Sequence, residues 1–174
     1  ALLANGFNVS AEDADGDDVA GGVTVNVDVA DDIPVLKAGD PDKIINQGMC
    51  GRYHDRATLD FVEGRAGVSL FNAIPRELPY TLDLVERHPE GSQAFIPMSE
   101  HSFLVIVAPD EGGKPGVPIA FETKPGQAIN FHRGTWHGVL TPLHAPGLFA
   151  VVDRIGSGAN LEEHPFDAPY TVDR

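Results

Sequence analysis

From Tyr80 to Leu84 the chain alternates. Tyr80, Leu82 and Leu84 are apolar while Thr81 and Asp83 are polar, the period of a strand with one buried face. The next two positions of the same parity are Glu86 and His88, so a row that should face a core ends in two ionisable groups. Such groups are costly to bury unless they pair, hold a metal or meet a ligand. A strand that passes from Leu to Glu and His on one face therefore predicts a polar pocket at its end, and the chemistry is expected there.

The rest of the chain reads as mostly β. Among 174 residues there are 19 Gly and 14 Pro, a density that breaks long helices and favours short strands joined by turns. Strands are predicted over residues 23–29, 68–71, 80–85, 93–97, 103–108, 119–122, 127–131 and 148–152, with few short helices. The run 103–108, FLVIVA, is continuously apolar and so should be covered on both faces. Residues 31–51, rich in Asp, Pro and Gly, read as a loop, and 111–116 as a hairpin loop without phosphate-loop spacing. Residues 156–174 show little periodicity and read as a tail that covers the barrel or stays mobile. With 42% hydrophobic residues the chain can bury a proper core, and residues 1–174 are expected to form one domain.

Charge narrows the function classes. The formal net charge is −14, which opposes binding to nucleic acid or to an anionic membrane surface. Eight of the acids fall within residues 1–36, a stretch without Lys or Arg. Its DADGDD run at 13–18 places Gly fourth rather than sixth and lacks the closing Glu of a calcium loop, so it reads as a solvated acidic turn. No apolar run approaches the ~20 residues of a membrane span. The single cysteine, Cys50, excludes an internal disulfide and a cysteine-based zinc cluster. A soluble cytoplasmic protein is the expectation.

Short, closely spaced strands fit a sandwich or small barrel. Glu86-x-His88-x4-Gln93 and Gly126-x5-His132-x-Gly134-x2-His137 resemble the two motifs of the cupin superfamily, with Glu86 and Gln93 replacing a usual His and Glu and with His132 where Pro is usual. That resemblance implies a double-stranded β-helix barrel with Glu86, His88, Gln93 and His137 around one cavity. A hairpin through Pro89, Glu90 and Gly91 is expected to bring Gln93 back beside Glu86 and His88. The wording is more specific still. The segment LVERHPEGSQAFIPM (84–98), together with Ile45-Asn46, Arg52-Tyr53-His54-Asp55 and NFHRGTWH (130–137), is similar to the ureidoglycolate lyase family. The similarity runs from Ile45 to Arg154; residues 1–44, an acidic N-terminal part, match the family's opening weakly.

The resemblance implies cleavage of (S)-ureidoglycolate to glyoxylate and urea, late in allantoin and purine catabolism, by a homodimer. The substrate carries a hydroxyl and a ureido nitrogen on one carbon, so the enzyme needs a base, an acid and a carboxylate clamp. His88 or His137 is expected as the base, with Glu86 orienting a histidine or holding charge and His132 as a further catalytic candidate. Arg52 and Arg133 are the candidate carboxylate forks, with Gln93 and Trp136 as further substrate contacts. Arg87 should turn away from Glu86 and His88, and Asp153-Arg154 stays outside the predicted site as an internal pair. Glu86, His88, Gln93 and His137 would also suit a divalent metal such as nickel or manganese. Two other classes stay open at this point: a different metal-dependent cupin enzyme acting on a small hydroxy acid or sugar, and a noncatalytic module that binds a small anion.

Overall fold

The computed structural model describes residues 8–11 and 40–174; the alternating segment 23–29 and the acidic run 13–18 lie outside the described residues. In chain order the strands are β1 (Asn8–Ala11), β2 (Lys43–Ile45), β3 (Cys50–Arg52), β4 (Arg65–Ala73), β5 (Tyr80–Arg87), β6 (Gln93–Pro97), β7 (Phe103–Ala108), β8 (Ile119–Glu122), β9 (Ile129–Phe131), β10 (Trp136–His137), β11 (Thr141–Pro142), β12 (Gly147–Ile155) and β13 (Glu162–Asp173). No helix occurs among the described residues, so the expected few short helices are replaced there by strands and turns.

Two antiparallel sheets face each other as a cupin-like barrel. One has the order β1-β13-β5-β10-β7-β11 with β8 also on β7, and the other the order β4-β12-β6-β9. Between them lie Phe95, Ile129, Phe131, Phe149 and Val151 from the smaller sheet and Phe103, Val105 and Val107 from the larger. Strand β7 supplies the reason for this two-layer build. Its odd residues enter that inner core, while Leu104, Ile106 and Ala108 point to the opposite face and join Tyr80, Leu82, Val85, Trp136 and Val172 in a second cluster. All six of its residues are buried, as a continuous apolar strand requires.

Several local expectations need correction. Residues 156–174 are no tail: β13 pairs with β5 and β1, and its bulged register hides a weak period-2 burial pattern. Residues 31–51 are not all loop either, because β2 and β3 form a two-stranded ribbon. Tyr80 and Leu82 share a cluster with Val85 rather than with Leu84. Opposite this point β13 bulges, since Leu82 pairs with Tyr170 and Leu84 with Pro165. The parity of β5 switches at the same point, and Glu86 and His88 face the inner core instead of continuing the row of Leu82. Finally, β5 and β6 belong to different sheets. The turn through Pro89, Glu90 and Gly91 is thus a corner between sheets, and Gln93 enters the barrel from the facing wall.

Candidate active site

The inner end of β5 and the two residues of β10 build the site. His137 stands opposite Glu86 in the ladder. Its ring stacks on Phe131 at 4.3 Å between centroids and 4° between planes, and the His88 ring lies 5.4 Å from it at 26°. Phe131 belongs to the inner core, so the three rings carry the apolar wall of the barrel into a polar end.

Both histidines are fixed in the same tautomer. His88 Nδ1 lies 2.6 Å from the carbonyl of Asn160, and His137 Nδ1 lies 2.9 Å from the carbonyl of Gly138. A carbonyl only accepts, so each Nδ1 carries the hydrogen and each Nε2 presents a lone pair. Both Nε2 atoms are buried without a hydrogen-bond partner, and so is Gln93 Oε1. Gln93 shares the inward face of Phe95, and its register partner is Phe131, the ring beneath His137. Buried unpartnered acceptors are rare because each forfeits its hydration, and three at one barrel end mark a site built for something else.

Glu86, His88 and His137 each offer one ligand atom, all within 4.8 Å of one another. Two donors on one ion at ~2.1 Å each stand no more than ~4 Å apart. Small side-chain rotations close that difference, and two imidazole nitrogens with a carboxylate oxygen suit a divalent transition metal. The donor set fits.

The electrostatics agree. Burial pushes His137 down to about 4, opposed by the Gly138 carbonyl and Glu86 and assisted by His88, so the ring is neutral and able to donate its lone pair at neutral pH. Contact with His88 is the largest influence holding the Glu86 carboxyl below its ordinary value, against desolvation. In this conformation His88 Nε2 and Glu86 Oε1 are 3.8 Å apart, beyond hydrogen-bonding distance.

The remaining predicted residues divide. Arg133 sits on the turn after β9, where Gly134 adopts φ +78° and its N–H donates to the His88 carbonyl at 3.0 Å. This turn holds Arg133 near the site, where its Nε lies 3.3 Å from Asp60 Oδ2. His132, on the same turn, is exposed. Arg52 lies on the β2–β3 ribbon, bonded to His54 at 2.7 Å, and no described contact ties it to the cluster. Trp136 is on the opposite face of the sheet from His137. It is buried in the second cluster, its Nε1 donates to Asp110 at 3.0 Å, and Arg87 lies over its ring at 4.4 Å. Arg87 does turn away from Glu86 and His88, pairing with Asp110 and Glu162. Asp153 accepts from Ser69 and Arg154 pairs with Glu90, so these neighbours do not form an internal pair with each other. Asn160 was not legible as a site residue, because it acts through a backbone carbonyl in a segment that looks featureless.

A family model of ureidoglycolate lyase matches residues 25–173. A ureidoglycolate lyase of Rhodobacter capsulatus is 60% identical over 136 residues, 78% of this chain and 84% of its own length. Ureidoglycolate lyase 2 of Rhizobium meliloti is 57% identical over 131 residues, 74% of this chain and 80% of its own. A ureidoglycolate lyase of Chelativorans sp. is 53% identical over 130 residues, 74% of this chain and 79% of its own.

Proposed function

The chain belongs to the ureidoglycolate lyase family, and from that premise we propose that Glu86, His88 and His137 form the centre at which it cleaves (S)-ureidoglycolate to glyoxylate and urea. The observation that carries this reading is the pair of tautomer-fixed histidines whose unpartnered Nε2 atoms converge with one carboxylate.

Glu86, His88 and His137 would hold a divalent metal, nickel or manganese, with Gln93 Oε1 as a further oxygen donor. Such an ion supplies a Lewis acid that makes the substrate hydroxyl easier to deprotonate. Glu86 offers one oxygen to that donor set and keeps a second, and this carboxylate is the group placed to move a proton: it takes the hydroxyl hydrogen and returns it to the ureido nitrogen as the carbon–nitrogen bond breaks. The carbon keeps its oxygen as an aldehyde, so glyoxylate and urea account for every atom and no water is consumed. His137 is disfavoured as the base because burial keeps it too weakly basic near neutrality. Arg133, exposed on the turn whose Gly134 N–H binds the His88 carbonyl, suits the substrate carboxylate bidentately, and Asp60 holds its guanidinium meanwhile. Arg52 and His132 are left without a role.

The setting follows from the same chemistry. Glyoxylate and urea are end products of allantoin and purine catabolism; the net charge of −14 opposes nucleic-acid and anionic-membrane partners, and the single cysteine suits a cytoplasmic setting. A homodimer is supported by the outer face of the smaller sheet, where Val68 and Leu70 are exposed at 74% and 69%, with the exposed Ile74 and Met98 just past the ends of β4 and β6.

The test is glyoxylate release by purified protein with metal content measured on the same sample. Activity that disappears on chelation and returns with nickel or manganese is expected. Full activity in metal-free protein would move the proton to His88 Nε2, and no activity in either state would remove the reading.

A further inference from the structure

The corner that carries His88 is tied by one buried arginine. The Arg154 side chain is 3% exposed, and its Nε donates to the carbonyls of Val62 and Glu63 at 2.9 and 2.6 Å. Its Nη2 donates to the Ser157 carbonyl at 3.0 Å and lies 2.7 Å from Glu90 Oε2, an ion pair whose angle is too bent for a hydrogen bond. The Glu90 N–H in turn donates to Asn160 Oδ1 at 2.7 Å. Three separate stretches, 62–63, 88–91 and 157–160, thus meet on Arg154. Gly91 permits the approach, since a Cβ there would stand 2.7 Å from Arg154 Cβ.

We infer that Asn160, clamped by Glu90 and Arg154, is a positioning residue for His88. This rests on the reading that Glu86, His88 and His137 form the reactive centre. The connection is physical. The Asn160 main-chain carbonyl fixes the His88 tautomer, but residues 155–159 are exposed and nothing in the ladder of β12 or β13 holds that carbonyl in place. Its anchor is the Asn160 side chain on the Glu90 N–H, two residues beyond the ring it serves. The carbonyl and the amide of one residue therefore grip both ends of the corner. A hydrogen-bond partner on the far nitrogen keeps a ligating imidazole in the right tautomer and orientation, and its loss typically costs ~10–100-fold in metal affinity or activity.

The experiment compares wild type, Asn160→Ala and Asn160→Asp by three readouts: nitrogen-15 NMR of the His88 ring, nickel affinity by calorimetry, and kcat with KM for glyoxylate release. The wild-type ring should be a single Nδ1–H tautomer. In Asn160→Ala it should become a mixture, with nickel affinity and kcat both ~10–100-fold lower and KM changed less than about twofold. Asn160→Asp keeps an acceptor oxygen for the Glu90 N–H and should restore all three. If Asn160→Ala fails to fold, Arg154→Lys, which keeps the charge but loses the fork, should shift the tautomer and the affinity in the same direction. A pure Nδ1–H tautomer and unchanged nickel affinity in the folded variants would overturn the inference, whatever happens to Tm. Wild-type protein that releases no glyoxylate overturns the functional reading alone, because tautomer and affinity are measured without substrate.

Discussion

The two faces of the sheet at β5 and β10 carry similar groups and treat them in opposite ways. On the outer face Arg87 pairs with Asp110 at 2.9 Å and with Glu162 at 2.6 Å, lies over Trp136, and shares Asp110 with the indole N–H. On the inner face, one residue away along each strand, Glu86 and His137 converge with His88 and leave two imidazole nitrogens without partners. The satisfied network stabilises and specifies packing; the unsatisfied one is an exposed cost of folding that only a ligand or metal relieves. That contrast separates structure from chemistry where residue type cannot, since both faces hold charged and aromatic side chains.

The contrast breaks most visibly in activity. Glu86→Gln and His88→Ala should each lower glyoxylate turnover by roughly 10²–10⁴-fold, while urea denaturation shows a stability change below ~1 kcal/mol. A large stability loss with intact specific activity would place these residues with the outer face. Acid should separate the faces next. His137 is depressed to about 4 from an ordinary 6.5, so the unfolded chain binds the extra proton first. Stability of the metal-free protein should fall between pH 6.5 and 4 by up to ~3 kcal/mol. Glu86, held below its ordinary 4.5, adds a loss only below that value, and the outer-face Asp110 only below 3.8. Denaturation midpoints that stay flat from pH 6.5 to 4.5 would contradict the burial of His137. The smallest effect is expected at Arg87. Arg87→Met should cost ~1 kcal/mol, because its partners are half-exposed and screened, and leave kcat within about twofold.

Much of this was legible in the residues, and the failures have physical causes. Strands β6, β7 and β8 lie where alternation or continuous apolarity puts them, because packing there follows local pattern. Glu86 and His88 were found through a parity that the structure breaks between Leu82 and Val85. The break coincides with a bulge in the paired strand β13, far downstream in the chain, and leaves no mark in the sequence of β5. The same bulge disguised β13 itself as a tail. Trp136 looked like a substrate contact because it lies between candidate histidines in the chain, yet adjacent residues on a strand face opposite ways. The roles of Arg154 and Asn160 are not legible because they act largely on backbone groups, and a carbonyl carries no side-chain signature.

Trp136 and His137 are neighbours on one strand, and glyoxylate release by their single variants tests the separation of faces most directly. Specific activity is measured on folded Trp136→Phe and His137→Ala at saturating ureidoglycolate and nickel, well below either Tm. Trp136→Phe, which loses only the indole hydrogen bond and some packing, should keep kcat within about twofold, whereas His137→Ala should lose ~10²-fold or more. Near wild-type turnover in His137→Ala, or an equal loss in both variants, would contradict the assignment of chemistry to the inner face.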